Sequence, residues 1–184
     1  MRKLTSIAAA LVMMCSVALA QGKPPRPSGP GAANYTFPDG KKIDIKYSRP
    51  KIADPKTGEK RQIMGKLVPY GEPWRTGANE ATSFVTDTDL DINGTKVPAG
   101  SYTLYTLPSA TTWKLIISKK TGQWGIPYPG ESEDFARIDM KSAKPKATVD
   151  PFTISLDKES GGKTARLLLA WENTGEYVDI KEAK

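Results

Sequence analysis

Asp89-Leu90-Asp91-Ile92-Asn93-Gly94-Thr95-Lys96-Val97 decides how the rest of the chain is read. Asn-Gly is the preferred dipeptide of a two-residue type I′ hairpin turn, because both central residues must adopt positive φ. A two-residue loop at Asn93-Gly94 sets Ile92 opposite Thr95, Asp91 opposite Lys96 and Leu90 opposite Val97. The apolar residues then share one face, and Asp91 and Lys96 are predicted to pair on the other, so turn chemistry and hydrophobic pattern specify one register. The same residues also match the first half of a calcium loop, Asp89-x-Asp91-x-Asn93-Gly94, but the position that should supply a bidentate glutamate is Gly100. The hairpin accounts for Leu90 and Ile92 as well, and is preferred.

Outward from this hairpin the signal stays β. Short alternating segments are predicted at 35–37, 42–48, 81–86, 101–107, 112–118, 135–141, 152–157, 165–171 and 177–180, bounded by turns such as Pro38-Asp39-Gly40, Ser160-Gly161-Gly162 and Asn173-Thr174-Gly175. No run has helical period, and the connections are too short for helical crossovers. The expected fold is all-β: an antiparallel β-sandwich of about eight to ten short strands, with a β-barrel as the alternative. Residues 21–34 hold Gly-Lys-Pro-Pro-Arg-Pro-Ser-Gly-Pro-Gly and read as a linker, which leaves 35–184 as one domain.

Ahead of the linker, Met1-Arg2-Lys3, the apolar stretch from Ile7 to Val17 and Ala18-Leu19-Ala20 form the pattern of a secretory signal peptide over 1–20, cut after Ala20. The stretch is too short for a membrane span, which needs about 20 apolar residues. Cys15 lies inside it, unlike a lipid-attachment cysteine. Of the 184 residues, 27 are Lys or Arg and 20 Asp or Glu, so loss of Arg2 and Lys3 reduces a net +7 to +5. Lys41-Lys42, Lys119-Lys120 and the lysines between Lys141 and Lys146 are spread over turns and outward positions, so no nucleic-acid partner is expected. Histidine is absent and the one cysteine leaves with the leader, which removes imidazole and thiolate catalysis and the usual zinc ligand sets. No metal, cofactor or catalytic residue is assigned, and the expected location is periplasmic or extracellular.

Two dense loops carry the candidate binding residues. The first, from Leu67 to Thr82, holds Trp74, Arg75, Asn79 and Glu80 between prolines and glycines. Arg75, with Arg49 nearby in sequence pattern, could offer a guanidinium fork to a carboxylate or phosphate beside Trp74, with Glu80 as acceptor. Equally, Arg75 could satisfy backbone carbonyls and Glu80 to hold the loop. The second loop, Gln123-Trp124-Gly125-Ile126-Pro127-Tyr128-Pro129-Gly130, sets Trp124 and Tyr128 as a stacking platform or as a cover for the sandwich edge. Trp113 and Trp171 read as core. Glycoside hydrolysis would need two carboxylates, with Glu80 as one and Glu72, Glu131, Glu133 or Asp134 as the other. Asn34-Tyr35-Thr36 and Asn93-Gly94-Thr95 are glycosylation sequons only in a eukaryotic secretory pathway.

Tyr47-Ser48-Arg49-Pro50, Gly65 to Gly71, Trp74-Arg75-Thr76-Gly77-Ala78-Asn79-Glu80-Ala81-Thr82, Pro98 to Tyr105 and Gln123-Trp124-Gly125 together resemble the bacterial exported family catalogued as domain-of-unknown-function family 2911. The resemblance implies a bacterial envelope or secreted protein with a mostly β domain, and brings no reaction, ligand or site. Three functional readings follow. The first is a non-catalytic exported protein that binds a small ligand, glycan or envelope partner through Arg49, Trp74, Arg75, Asn79, Glu80, Trp124 and Tyr128. The second is a carboxylate-dependent glycan hydrolase, and the third an envelope structural protein without a small ligand.

Overall fold

A computed structural model describes residues 26–184; the predicted signal peptide and the first part of the predicted linker lie outside the described residues. Twelve strands run β1 (Gly29–Thr36), β2 (Lys42–Arg49), β3 (Thr82–Thr86), β4 (Leu90–Ile92), β5 (Thr95–Val97), β6 (Gly100–Leu107), β7 (Lys114–Ser118), β8 (Asp134–Asp139), β9 (Lys141–Ser142), β10 (Val149–Glu159), β11 (Thr164–Glu172) and β12 (Thr174–Glu182). All pair antiparallel, in two open sheets ordered β1-β2-β3-β6-β7-β8 and β10-β11-β12-β4-β5, with β9 on β12. Both sheets keep free edges, so the fold is the sandwich and not the closed barrel. No helix among the described residues is long and apolar enough to cross a membrane.

The deciding hairpin forms in the predicted register, Leu90 on Val97, Asp91 on Lys96 and Ile92 on Thr95. Leu90, Ile92 and Val97 are wholly buried. The predicted Asp91–Lys96 ion pair is replaced: Asp91 meets Lys181 of β12 at 3.4 Å and accepts the Gly94 N–H at 2.7 Å. The hairpin joins the second sheet along β12, which brings a different lysine within reach. The oxygens that matched a calcium loop are likewise engaged, Asp89 by the Ala99 N–H at 2.8 Å and Asn93 by the Asp179 N–H at 3.1 Å.

The predicted linker ends earlier than expected. β1 begins at Gly29 and pairs Gly29 with Arg49, Pro30 with Ser48 and Gly31 with Tyr47. Proline is tolerated there because β1 is an edge strand. Gly31 is required for space: a Cβ on it would sit 2.6 Å from Cζ of the Tyr47 ring. That ring lies inside the sandwich, where its hydroxyl accepts the Ile154 N–H of β10 at 2.9 Å and so ties one sheet to the other. The last hairpin also turns one residue early. Trp171 pairs with Thr174, so Glu172-Asn173 make the turn, with Glu172 at φ 51°, and Gly175 lies within β12.

Between the sheets, Ile43 and Ile45 of β2, Phe84, Leu104, Leu115 and Ile117 face Ile154, Leu167, Leu169, Val178 and Ile180 in one continuous core. The long connection from β2 to β3 is pinned to it by Ile52, Ile63 and Val68, all buried. This pinning holds an irregular segment of about thirty residues over one end of the sandwich, where the cleft described below forms.

Candidate functional site

Trp74 begins the organised part of the first loop. Its backbone exchanges two hydrogen bonds with Thr106 of β6, at 2.7 and 2.9 Å, and its indole N–H donates to the Gly77 carbonyl at 3.1 Å. The ring stacks on Trp171 at 6.0 Å and meets Phe152 edge-on at 5.0 Å and Trp113 at 6.4 Å. Thr76 and Asn79 adopt positive φ, 53° and 56°, and fold the chain back on itself. The conformation is held by its own polar groups. Thr82 Oγ1 donates to the Thr76 carbonyl at 2.6 Å, and Asn79 Nδ2, buried, donates to the Ser28 carbonyl at 3.0 Å and to Ser48 Oγ at 3.1 Å. Asn79 thereby ties the loop to the start of β1 and to β2.

Arg75 is half-buried. Its Nη1 donates to the carbonyls of Asn79 at 2.6 Å and Trp124 at 3.2 Å, so one guanidinium nitrogen joins the two dense loops. Among the described residues its Nε and Nη2 make no hydrogen bond. Burial lowers its pKa from the ordinary arginine value, while Tyr105 and Glu80 push it back up; an arginine stays charged at neutral pH through a change of that kind. The Trp124 ring lies 5.7 Å from the guanidinium carbon. Gly125 packs against this arm: its φ is 91°, and a Cβ would fall 2.9 Å from the Cβ atoms of both Arg75 and Ala81.

The second loop covers the outer face of the first sheet. Tyr105 and Ile116, paired across β6 and β7, point away from the main core and are nevertheless wholly buried. Gln123 donates to the Tyr105 hydroxyl at 3.1 Å, and the Tyr128 ring meets the Tyr105 ring edge-on at 5.1 Å. Tyr128 donates its hydroxyl proton to Asp134 and accepts from Arg137 at 3.2 Å. Burial and the Asp134 hydrogen bond push its pKa up to about 12. Tyr128 is therefore an anchor of this loop.

Where the two loops meet the connection after β2, a cleft of about 340 Å³ opens. Lys51, Arg61, Leu67, Trp74, Arg75 and Ile126 give it its chemistry, and Asn79 and Trp171 border it. Arg61 is held by the carbonyls of Lys51 at 2.5 Å and Ile52 at 3.3 Å. Leu67 and Ile126, on opposite loops, are both exposed. Among the described residues no Asp or Glu lines it.

Of the seven residues singled out in the sequence, Trp74, Arg75 and Asn79 line this cleft. The others lie elsewhere. Arg49 bonds the Phe152 carbonyl at 3.3 Å and Thr153 Oγ1 at 3.0 Å, tying β2 to β10. Glu80 pairs with Arg26, Trp124 projects outward with 54% of its surface exposed, and Tyr128 is engaged as described. Two of the acidic partners considered for Glu80 are committed to Arg137, Glu131 at 3.0 Å and Asp134 at 2.7 Å. Lys51, Arg61, Leu67 and Ile126 were not foreseen; they come from separate segments with no common spacing, and only folding makes them neighbours.

No curated protein and no solved structure matches the chain. A family model described as a protein of unknown function, DUF2911, matches residues 28–180, from beside the start of β1 almost to the end of β12. With the match covering nearly all of both sheets and every residue of the first loop, the chain belongs to this family of unknown function, DUF2911.

Proposed function

We propose that this protein is an exported, non-catalytic binding protein whose cleft takes a small anionic ligand with an apolar body. The observation that carries the reading is the cleft's chemistry: its ionisable lining residues, Lys51, Arg61 and Arg75, are all cationic, and they stand beside Leu67, Trp74 and Ile126. Arginine forks recognise carboxylate and phosphate, and apolar walls with a few fixed polar groups are how small-ligand sites gain affinity. Arg75 is pre-positioned by its two carbonyl contacts and keeps donors for a ligand. Hydrolysis of a glycan by paired carboxylates would need acids on this surface, and among the described residues the lining supplies none. Export rests on the leader pattern in 1–20.

The test is calorimetric titration of residues 21–184 with hexanoate and phenyl phosphate against the neutral hexan-1-ol. The anions are expected to bind more tightly, and the binding to weaken as salt is raised, since partly exposed charges are screened. Lys51→Gln removes an exposed cation without touching the fold and is expected to weaken anion binding by about 3–10-fold, the equivalent of roughly 1 kcal/mol, at unchanged melting temperature. Equal binding of hexan-1-ol and hexanoate, or no effect of Lys51→Gln, overturns the reading.

A further inference from the structure

Across the 63–71 segment from the cleft lies a second recess of about 200 Å³, bordered by Tyr70, Ser109, Trp113, Asn173, Lys144 and Glu176. Below it is an internal cavity of about 10 Å³, close to the volume one water-sized group occupies. The two share Met64, Trp113, Thr174 and Glu176, and Trp74 and Trp171 close the inner side. Glu176 pairs with Leu169 across β11 and β12, and so points between the sheets. Its Oε1 accepts from Ser142 at 2.8 Å. Its Oε2 has no hydrogen-bond partner among the described residues, and neither has the indole Nε1 of Trp171. Glu176 is only 6% exposed and Trp171 2%.

A buried donor and a buried acceptor thus border one cavity, each lacking a partner, which is costly for both. The group that completes them must accept from the indole N–H and donate to the carboxylate. A hydroxyl does both. An ammonium has no acceptor, and a carboxylate or phosphate anion no donor. We propose that the recess binds a saccharide, with one sugar hydroxyl inserted between Trp171 Nε1 and Glu176 Oε2 and the sugar ring against Tyr70. The rest of the recess has the matching chemistry. Tyr70, exposed at the rim, offers ring surface to the apolar C–H face of a sugar, and Ser109, Asn173 and Lys144 offer donors and acceptors at its edge. At 200 Å³ the recess has the scale of a single ring at the end of a chain. The recess shares no lining residue with the cationic cleft, although Trp74 and Trp171, which close the cavity beneath it, also border that cleft.

The experiment is an NMR titration of residues 21–184, following the Trp171 indole N–H resonance, with glucose, galactose, mannose, rhamnose and N-acetylglucosamine and with oligosaccharides that end in each. One of these is expected to bind at ~1 mM or tighter and to shift that resonance. Glu176→Gln keeps the shape and removes a buried charge, so the chain should still fold; it is expected to weaken binding at least tenfold. Trp171→Phe, which removes only the donor and part of the ring, is expected to weaken it several-fold. Lys51→Gln, in the cleft, is expected to leave it unchanged, which separates this site from the anion site. The proposal is overturned if no sugar shifts the resonance, if binding survives Glu176→Gln, or if the indole N–H contact proves to be with a water molecule only.

Discussion

Among the described residues Glu176 is the one carboxylate that the fold places between its sheets, beside Leu169 and Trp171, and its titration reports that position. Burial raises its pKa above the ordinary 4.5, and the hydrogen bond from Ser142 only partly opposes this. A folded-state pKa above the unfolded one means that the native chain holds the proton to higher pH. The unfolded state therefore binds fewer protons in the window that opens near 4.5, and stability falls as pH rises through that window to the raised value, then levels. Glutamine has no such slope. Glu176→Gln is expected to melt no higher than the parent at pH 4 and at least ~2 °C higher at pH 8, the effect of about 1 kcal/mol in a domain of this size. Melting curves of both proteins across that range check it, and a constant difference between them would show that Glu176 is not ionised against a burial cost. The residue was visible in principle in the sequence. Val178 and Ile180 alternate inward along β12, and Glu176 has the same parity, but a strand predicted to start at Tyr177 leaves it outside the pattern.

At the scale of elements, the Trp74–Thr82 segment shows why its role was not legible from its residues. Trp, Arg, Asn and Glu on a glycine-rich loop have the composition of a binding site, yet several polar groups of the segment are spent on backbone: Asn79 on Ser28, Thr82 on Thr76, Trp74 on Gly77. Arg75 serves both readings, because its Nη1 organises two loops while its remaining donors sit at the cleft. The strands themselves were legible, since period-two alternation and turn chemistry are local signals. Contacts such as Arg75 to Trp124, 49 residues apart, are not. Two charge-assisted hydrogen bonds on a partly exposed side chain amount to about 2 kcal/mol, so Arg75→Ala is expected to lower the melting temperature by roughly 4–8 °C. It should also alter Trp124 fluorescence, because the ring loses its cationic neighbour. Thermal melts with emission spectra check this, and an unchanged melting temperature would assign Arg75 to ligand contact alone.

For the whole molecule, the sandwich depends on a strand that its composition disguises. Proline and glycine between 22 and 31 read as a linker because each opposes a regular ladder in isolation, but an edge strand needs hydrogen bonds on one side only. What keeps Gly29–Asn34 in place is tertiary. Gly31 leaves room for the Tyr47 ring, Ala33 is buried, and Ser28 accepts from Asn79. A chain shortened to 35–184 loses six of the eight residue pairs between β1 and β2, together with the Ser28 contact that fixes the first loop and the Arg26–Glu80 pair. Residues 26–184 are therefore expected to unfold in one cooperative thermal transition, and 35–184 to melt at least ~10 °C lower or to lose cooperativity, in keeping with a loss of several kcal/mol. Gly31→Ala gives the same test without deletion, because its methyl would stand 2.6 Å from the Tyr47 ring and force β1 away or the ring out of the core. Circular dichroism melts of the three chains decide the matter: equal midpoints for 26–184 and 35–184 would reduce β1 to an appendage, whereas a parallel loss in the deletion and in Gly31→Ala makes it a structural edge of the first sheet.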